Sequence, residues 1–296
     1  MLQYDCIVIG GSYAGLSAAL SLGRASCRTL VIDDGKPINS SAEKLHNLLG
    51  WDGMDPRRLQ ESGTRELSKY DTVNIQKGLV TSIEKADNHF VVEVSGTEKI
   101  SAAYILLATG LQPVFPEISD FDKCWGKSIF HCPYCHGYEF RNESTAVLGD
   151  GDAAFDMTRL LLMWTKNIVV FTNGGKLSKS QINKLNESGI KIEDEKINSL
   201  VHKDGVLQAI VLDDNRSFIV KALYHQPTLM QTNELAKNIG CRITREGLIE
   251  TDVFQSTSIK GIYAAGDNSS NGHSVASAIA NGSVAGIFIS KALAGL

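Results

Sequence analysis

A strand that runs directly into a glycine-rich turn opens the chain, and it limits the fold more than any other feature. Residues 4–9, Tyr-Asp-Cys-Ile-Val-Ile, form an apolar run, and Gly-Gly-Ser-Tyr-Ala-Gly follows at 10–15. Small residues from about 14 to 24 predict a helix, and a second apolar run at 29–32 ends at Asp33. This βαβ pattern predicts a parallel sheet with crossover helices.

The first glycine turn is typical of a dinucleotide site. It resembles GxGxxG, with Gly10 and Gly15 at the outer positions and Ser12 at the middle one. A tight turn of this kind directs backbone N–H groups of a helix N-terminus at a pyrophosphate. Asp33 ends the second strand, where a carboxylate can accept hydrogen bonds from ribose hydroxyls. A strand–helix turn that binds nothing remains the alternative.

A second unit of the same kind begins near residue 144, about 140 residues after the first. The pattern predicts a strand at 146–148, a turn at 149–154, a helix at 155–164 and a strand at 168–171. The fold class expected is therefore α/β, with two Rossmann-like dinucleotide-binding domains. Further elements are expected at the following places: a helix at 55–69, strands at 89–94 and 99–107, a strand leading into 261–267, and a last helix at about 273–293.

The sequence His-Cys-Pro-Tyr-Cys-His at 131–136 carries the clearest chemical signal. Cys132 and Cys135 have the spacing of a redox dithiol, in which the surroundings can stabilise one thiolate. Haem attachment, a structural zinc site, a glutaredoxin-like domain and two inert thiols are the alternatives. No second CxxC or HxxxH is present, so we expect no metal. His136 follows the second cysteine, and an imidazole there can act as its acid–base partner.

Composition excludes several other classes of protein. The net charge is −4 and no long Lys/Arg run occurs, so we expect no nucleic-acid partner. No stretch of about 18 uninterrupted apolar residues appears, and the N-terminus lacks the basic region of a signal peptide. We therefore expect no membrane span and a cytoplasmic location. Six cysteines in such a chain are mostly reduced core residues, apart from the close pair.

The combined motifs resemble the low-molecular-weight thioredoxin reductase family of two-domain flavoproteins, over essentially the whole chain. The markers are the first glycine turn, Ala-Thr-Gly at 108–110, the CxxC just before a second GxGxxA, and Ala-Ala-Gly-Asp at 264–267. The resemblance implies an FAD-binding domain formed by residues 1–112 and 243–296. It also implies an inserted pyridine-nucleotide-type domain, residues 113–242, which carries the CxxC.

The resemblance further implies the roles of individual residues. Cys135 is expected to face the flavin and Cys132 to exchange with the substrate, while His136 takes the place of an acidic proton carrier. The positions expected to bind FAD are Gly10, Ser12, Gly15, Asp33, Asn47, Thr109, Gly110, Gly266, Asp267 and Val275. The positions expected to form an NAD(P) site, or the vestige of one, are Gly149, Gly151 and Ala154.

Departures from the family pattern bear on the electron donor. Asp150 and Asp152 lie in the second glycine turn, and no arginine occurs between Arg159 and Arg216, where NADPH-dependent members carry an arginine cluster. Lysines are poor substitutes for a bidentate guanidinium. Use of NADPH is therefore doubtful, and that of NADH unproven. His273-Ser274 also replaces the Arg-Gln of the family.

These departures make the chain resemble a branch that includes fungal dithiol oxidases and bacterial thioredoxin-reductase-like proteins. The expected function is an FAD-dependent dithiol/disulfide oxidoreductase. It is either a dithiol oxidase, with oxygen or another acceptor, or an NAD(P)H-dependent thioredoxin-disulfide reductase. A non-catalytic redox-sensing flavoprotein is the third hypothesis. The expected partners are a small-molecule dithiol or a thioredoxin-like protein, and the resemblance implies a homodimer.

Overall fold

The computed structural model describes residues 3–96 and 99–296, and these residues form two compact units. The first unit combines residues up to 40 with 56–112 and 229–296. The second combines residues 41–55 with 113–228. The chain therefore crosses between the units four times, after residues 40, 55, 112 and 228.

The borders of the units differ from the expected ones in two places, and packing gives the reason. Residues 229–242 belong to the first unit because Leu235, Ala236 and Cys241 are buried in its core. Residues 41–55 belong to the second unit, where Ser41 lies against Gly126.

The first unit is built on a seven-stranded sheet. Its strands are β1 (Tyr4–Ile9), β2 (Thr29–Asp33), β3 (Val73–Lys77), β4 (Val80–Ala86), β5 (His89–Val94), β6 (Ile100–Leu107) and β17 (Ile262–Ala264). The order is β3-β2-β1-β6-β5-β4, and β17 pairs with the C-terminal half of β6. Strands β4 and β5 form an antiparallel hairpin, and the other pairs except β5–β6 are parallel. Because β1 lies between β2 and β6, the turn after β1 stands at the topological switch point of the sheet.

Four helices belong to the first unit: α1 (Tyr13–Arg24), α2 (Pro56–Leu67), α7 (Leu235–Asn238) and α8 (Val275–Leu293). Helices α1 and α8 pack closely, since a Cβ on Gly282 would overlap the carbonyl oxygen of Ala14. Within the described residues, α8 is the single helix long and apolar enough to cross a membrane. Its contact with α1, through Gly282 and Gly286, accounts for its small apolar residues.

The second unit is built on a five-stranded sheet whose pairs are all parallel. Its strands are β8 (Ile129–Phe130), β9 (Thr145–Leu148), β10 (Ile168–Phe171), β11 (Lys191–Glu193) and β15 (Ala222–His225), in the order β11-β10-β9-β15-β8. A separate antiparallel sheet contains β12 (Ile197–Lys203), β13 (Val206–Leu212) and β14 (Ser217–Ile219). The helices are α3 (Phe121–Cys124), α4 (Pro133–His136), α5 (Gly151–Leu161) and α6 (Lys179–Glu187).

Two of the four connections between the units form short strands that pair with each other, β7 (Leu111–Val114) and β16 (Thr228–Gln231). Most expected elements are present within two residues of their predicted ends. Helix α5 is the exception, because it begins at Gly151 rather than near 155. The glycine turn itself forms the first turn of this helix, with Asp150 as its N-cap.

Candidate functional site

The first glycine turn is held so tightly that side chains are excluded at two positions. Gly10 has φ +108°, and a Cβ there would overlap the carbonyl oxygen of Ala108. A Cβ on Gly15 would overlap the carbonyl oxygen of Gly10. Helix α1 begins just after Ser12 and has no acidic residue in its first turn. This arrangement leaves the N-terminus of α1 favourable for a bound phosphate group.

Asp33 lies beside this turn at the carboxyl end of β2. Its Oδ1 accepts a hydrogen bond from the Gly11 N–H at 3.0 Å, which fixes the carboxylate against the turn. Carboxylates in this position bind ribose hydroxyls in dinucleotide-binding folds. The structure thus brings Gly10, Gly15 and Asp33 together at the carboxyl end of the sheet.

Thr109 and Gly110 follow β6 at the same end of the sheet, and Asn268 forms hydrogen bonds with this segment. The Asn268 amide donates to the carbonyl oxygen of Leu107 at 2.9 Å and to Thr109 Oγ1 at 3.2 Å. Thr232 Oγ1 donates to the carbonyl oxygen of Thr109 at 3.1 Å. Sequence reasoning missed Asn268, although it directly follows the expected Gly266-Asp267 pair.

Two buried polar atoms without partners belong to residues near Asp267. Asn268 Oδ1 and His273 Nε2 are buried and have no hydrogen-bond partner within the part of the chain that the structure describes. Burial raises the pKa of Asp267, and the nearby His273 opposes this rise. Because buried polar groups are normally satisfied, this region fits a polar ligand. Gly266 has φ +94°, and Val275 begins α8 behind the Ser274 N-cap.

Cys132 and Cys135 are joined by a disulfide, with their Cα atoms 5.3 Å apart. Strand β8 ends two residues before Cys132, which is the N-cap of α4. Pro133 occupies the first helical position, where its fixed φ favours a helix start. The Cys135 N–H donates to the carbonyl oxygen of Cys132 at 3.2 Å. Among the described residues, no group of His, Cys, Asp and Glu has the arrangement of a metal site.

His136 is enclosed by other rings. Its imidazole stacks on Phe130, with centroids 4.1 Å apart, and meets the edge of His46 at 6.1 Å. Burial lowers the pKa of His136 to about 4, and the neighbouring His46 and His131 add to this effect. The imidazole is therefore neutral at neutral pH, and burial makes it a weaker base than a free histidine.

His46 links His136 to two carboxylates, and sequence reasoning missed this role. His46 Nε2 lies 3.5 Å from Glu139 Oε1, and His46 Nδ1 lies 3.4 Å from Asp52 Oδ1. Glu139 stands three residues after His136, a spacing that could have signalled it. Asn47, the position expected near the flavin, is exposed with φ +61° and donates its N–H to Asp52 Oδ1. This segment belongs to the same unit as the disulfide.

The second glycine turn, in contrast, is covered by its own chain. The Gly151 N–H donates to the carbonyl oxygen of Lys176 at 3.0 Å. A Cβ on Gly175 would lie only 2.6 Å from the Asp150 side chain, so this residue rests directly on the turn. Gln181 donates to Asp152 Oδ1 at 2.7 Å. Residues 174–181, which we call the covering segment, therefore contact the place where a pyrophosphate would bind.

The charges around this turn are also unfavourable to a nucleotide phosphate. Asp150 is the N-cap of α5 and Asp152 lies in its first turn. The next arginine after Arg159, which is Arg216, pairs with Glu193 and Asp214. Burial raises the pKa of Glu193, but hydrogen bonds from Lys191 and Arg216 outweigh burial and hold it below its usual range. Ala154 is buried, and Gly149 has φ +152°.

A comparison with family profiles decides the classification. Residues 4–282 match the profile described as pyridine nucleotide-disulphide oxidoreductase. The chain belongs to this family. As a member with a thioredoxin reductase-like sequence, it is an FAD-dependent oxidoreductase with two Rossmann-type domains.

Relatives of this pyridine nucleotide-disulphide oxidoreductase support the same grouping. The thioredoxin reductase aclD of Aspergillus oryzae is 29% identical over 98% of this chain and 96% of the relative. The putative thioredoxin reductase TrxB of Bacillus anthracis has a TM-score of 0.95 and 31% identity, over 99% of both chains. An oxidoreductase of Agrobacterium tumefaciens has a TM-score of 0.93 and 34% identity, also over 99% of both.

The residues of the first unit fit the FAD that this family uses. The glycine turn, Asp33 and the unpartnered atoms near Asp267 offer phosphate, ribose and polar contacts at the switch point of one sheet. The second turn does not present this combination, because its Gly151 N–H already has a partner.

Proposed function

We propose that this flavoprotein is a dithiol oxidase, in which a dithiol substrate rather than NAD(P)H supplies the electrons. The hydrogen bond from Gly151 N–H to the carbonyl oxygen of Lys176 carries this proposal. It occupies a backbone donor that a nucleotide pyrophosphate needs and places a carbonyl oxygen where an anion would bind. Asp150 and Asp152 add negative charge at the same place.

The proposed reaction uses Cys132 and Cys135 in thiol–disulfide exchange. A substrate thiolate attacks the Cys132 sulfur, forms a mixed disulfide and releases Cys135 as a thiolate. The second substrate thiolate then attacks the substrate sulfur of the mixed disulfide and releases Cys132. The substrate leaves as a disulfide, and the enzyme retains two electrons in the reduced pair. FAD, when bound, supplies the two-electron acceptor that restores the disulfide, with oxygen or another acceptor beyond it.

His136 is the proposed base for the thiol proton. It directly follows Cys135, and an imidazole beside a thiol can take up its proton. His46 is the proposed positioning partner, because its two nitrogens lie near Glu139 and Asp52. The Asp52 side chain is 68% exposed, so one of the two carboxylates beside His46 lies at the surface.

The proposed FAD contacts come from the two glycine-turn residues Gly10 and Gly15, and from Ser12, Asp33, Thr109, Gly110, Gly266, Asp267 and Val275. These positions are supported by the glycine turn, the Asp33 carboxylate and the unpartnered polar atoms near Asp267. Asn47 is proposed to approach the flavin from its own segment. We also propose Gly149, Gly151 and Ala154 as the vestige of a nucleotide site, and a cytoplasmic homodimer. Exposed Val253, Phe254 and Ile287 on the first unit support self-association.

An NAD(P)H-dependent thioredoxin-disulfide reductase is the second candidate. It is favoured by the preserved strand, turn and helix from β9 to α5, with Gly149 and Gly151 in place. The names of the A. oryzae and B. anthracis relatives point the same way. A non-catalytic redox sensor is disfavoured, since it needs no imidazole beside the dithiol.

The reductant that bleaches the flavin distinguishes these candidates. The FAD-loaded protein is titrated without oxygen, with NADPH, NADH or dithiothreitol in turn, and the flavin absorbance is followed. We expect bleaching by dithiothreitol alone. Bleaching by micromolar NADPH or NADH would establish the reductase instead, and no bleaching by any of the three would favour the sensor.

A further inference from the structure

The imidazole of His273, in the first unit, carries a buried nitrogen that the chain itself does not satisfy. His273 and Ser274 stand where the family carries Arg-Gln, so a titratable imidazole replaces a permanent cation. The Nε2 atom of His273 is buried and has no hydrogen-bond partner within the residues that the structure describes. Buried polar atoms normally have a partner, so this nitrogen indicates a ligand from outside the chain.

Hydrogen bonds on both sides of His273 fix its position without using its ring. The Ser274 N–H donates to the carbonyl oxygen of Gly272 at 2.7 Å. The Ser274 side chain is the N-cap of α8, and its Oγ accepts from the Ser277 N–H at 3.1 Å. The Gly272 N–H donates to Ser270 Oγ at 3.1 Å. The turn before α8 is therefore held by backbone and serine groups, and the imidazole is not needed for it.

Asp267 lies close to His273 and also to the first turn of α1. A Cβ on Gly266 would lie 3.0 Å from Ala14 Cβ, so Asp267 stands directly after a close contact with this turn. Burial raises the pKa of Asp267, and His273 is the charged neighbour that opposes the rise. Asp267 is thus a buried acid beside the helix N-terminus that favours a phosphate group.

Asn268 provides an independent sign that a ligand binds here. Its side chain is fully buried, and its Nδ2 donates to the carbonyl oxygen of Leu107 at 2.9 Å and to Thr109 Oγ1 at 3.2 Å. A carbonyl oxygen can only accept, so the orientation of the amide is fixed. The Oδ1 atom is left as a buried acceptor without a donor. A ligand at this place therefore has to satisfy both this oxygen and the nitrogen of His273.

The charges at this place require a cation when FAD is bound. FAD brings the negative charges of its pyrophosphate to a region that already contains the Asp267 carboxyl. Like charges repel strongly where burial lowers the dielectric constant, so an ionised Asp267 and the pyrophosphate disfavour each other. An imidazole can relieve this repulsion, because it gains a proton readily near neutral pH.

We propose that His273 binds FAD as a cation, which balances the Asp267 carboxylate and the pyrophosphate of the cofactor. Bound FAD adds negative charge beside the imidazole and favours its protonated form, and the proton comes from the solvent. The buried nitrogen then gains the partner that it lacks in the chain alone. This inference goes beyond the dithiol oxidase function, because a dithiol oxidase and an NAD(P)H-dependent reductase both need FAD.

The dissociation constant of FAD tests this role without a measurement of activity. The FAD-loaded protein is diluted at pH 7, and the fluorescence of released FAD gives the dissociated fraction. His273→Gln is expected to raise the dissociation constant about tenfold or more, because a charge-assisted contact is lost. His273→Arg keeps a cation, which the family carries here, and is expected to stay within about threefold of the wild type. His89→Gln, in β5 of the same unit, is the matched control and is expected to bind FAD as the wild type does.

A double-mutant cycle shows whether the effect comes from charge. In an Asp267→Asn background the buried carboxylate is absent, so His273→Gln is expected to raise the dissociation constant by about threefold at most. A residue that only supports the local structure would cause the same loss in both backgrounds. The cycle therefore separates a balance of charges from a loss of packing.

Four results would overturn the role of His273. These are an unchanged dissociation constant in His273→Gln, an equal rise in His273→Arg, an equal rise in both backgrounds, and a loss of near-ultraviolet circular dichroism in His273→Gln at saturating FAD. The last would show that the imidazole is a structural residue. The measurements use neither a dithiol nor NAD(P)H, so they leave the proposed dithiol oxidase function untouched, whichever way they come out.

Discussion

The amide of Gly151 and the carbonyl oxygen of Lys176 form a hydrogen bond of 3.0 Å across the second glycine turn. This contact distinguishes the second glycine turn of the chain from the first. The first turn, at Gly10, faces the side chain of Asp33 and an acid-free helix N-terminus. The second turn has the covering segment against it and two aspartates beside it. Similar sequences thus form turns with different surroundings.

The covering segment predicts that pyridine nucleotides bind weakly. The Gly151 N–H already has a partner, and Asp150 and Asp152 repel phosphate, so the turn offers one donor fewer and carries two negative charges. Isothermal titration of the FAD-loaded protein with NADPH or NADH is expected to give no saturable heat up to about 1 mM, the range of non-specific contacts. A micromolar dissociation constant for either nucleotide would refute this expectation.

The buried Glu193 predicts a marked dependence of stability on Arg216. Glu193 is 5% exposed, and Lys191 and Arg216 are its cationic partners. Arg216→Ala is expected to lower the free energy of unfolding by about 1–3 kcal/mol, because a buried carboxylate loses a partner that is itself half exposed.

Urea denaturation of wild type and variant measures this difference. The matched control is Arg242→Ala, whose ion pair with Glu250 is exposed and which is expected to change stability by less than about 0.5 kcal/mol. Equal losses in the two variants would show that the burial of Glu193 has no special effect.

The buried His136 predicts acid sensitivity of the oxidised protein. Its pKa is lowered to about 4 in the folded chain, below the ordinary value of 6.5, so the unfolded chain binds more protons between these values. His136 does not lower the free energy of unfolding above pH 6.5. It lowers this free energy progressively as the pH falls from 6.5 toward 4. The loss amounts to roughly 3 kcal/mol at most.

Unfolding free energies of wild type and His136→Gln, measured from pH 7 to pH 4.5, test this dependence. The wild type is expected to lose stability relative to the variant as the solution becomes more acidic. A constant difference between the two proteins over this range would show that His136 titrates normally.

The contacts of His46 predict a kinetic role. Since His46 lies beside His136 and within 3.5 Å of Glu139, His46→Gln is expected to slow dithiol-driven flavin bleaching about tenfold or more, with little change in the half-saturating concentration. Its pH–rate profile should also shift, which a merely structural change would not cause. His89→Gln, in β5 of the first unit, is the control. An unchanged rate and profile in His46→Gln would rule out this role of His46.

Local sequence patterns anticipated the parts of the fold that depend on local contacts. Strand β1 and the helix after Gly10 follow from an apolar run and small residues, and β17 follows from the apolar stretch before Gly266. In contrast, the hydrogen bond between Gly151 and Lys176 joins residues whose sequence gives no sign of pairing. His46 and Glu139 likewise meet only in the folded chain. The spacing from His136 could have signalled Glu139, but no spacing in the sequence could have signalled His46.

Bleaching of the flavin by dithiothreitol in Cys135→Ser tests most directly whether Cys132 and Cys135 carry the electrons. The control is Cys241→Ser, because Cys241 is a free, buried cysteine of the first unit. We predict that anaerobic bleaching disappears in FAD-loaded Cys135→Ser and persists in Cys241→Ser. Bleaching at the wild-type rate in Cys135→Ser would contradict the assignment.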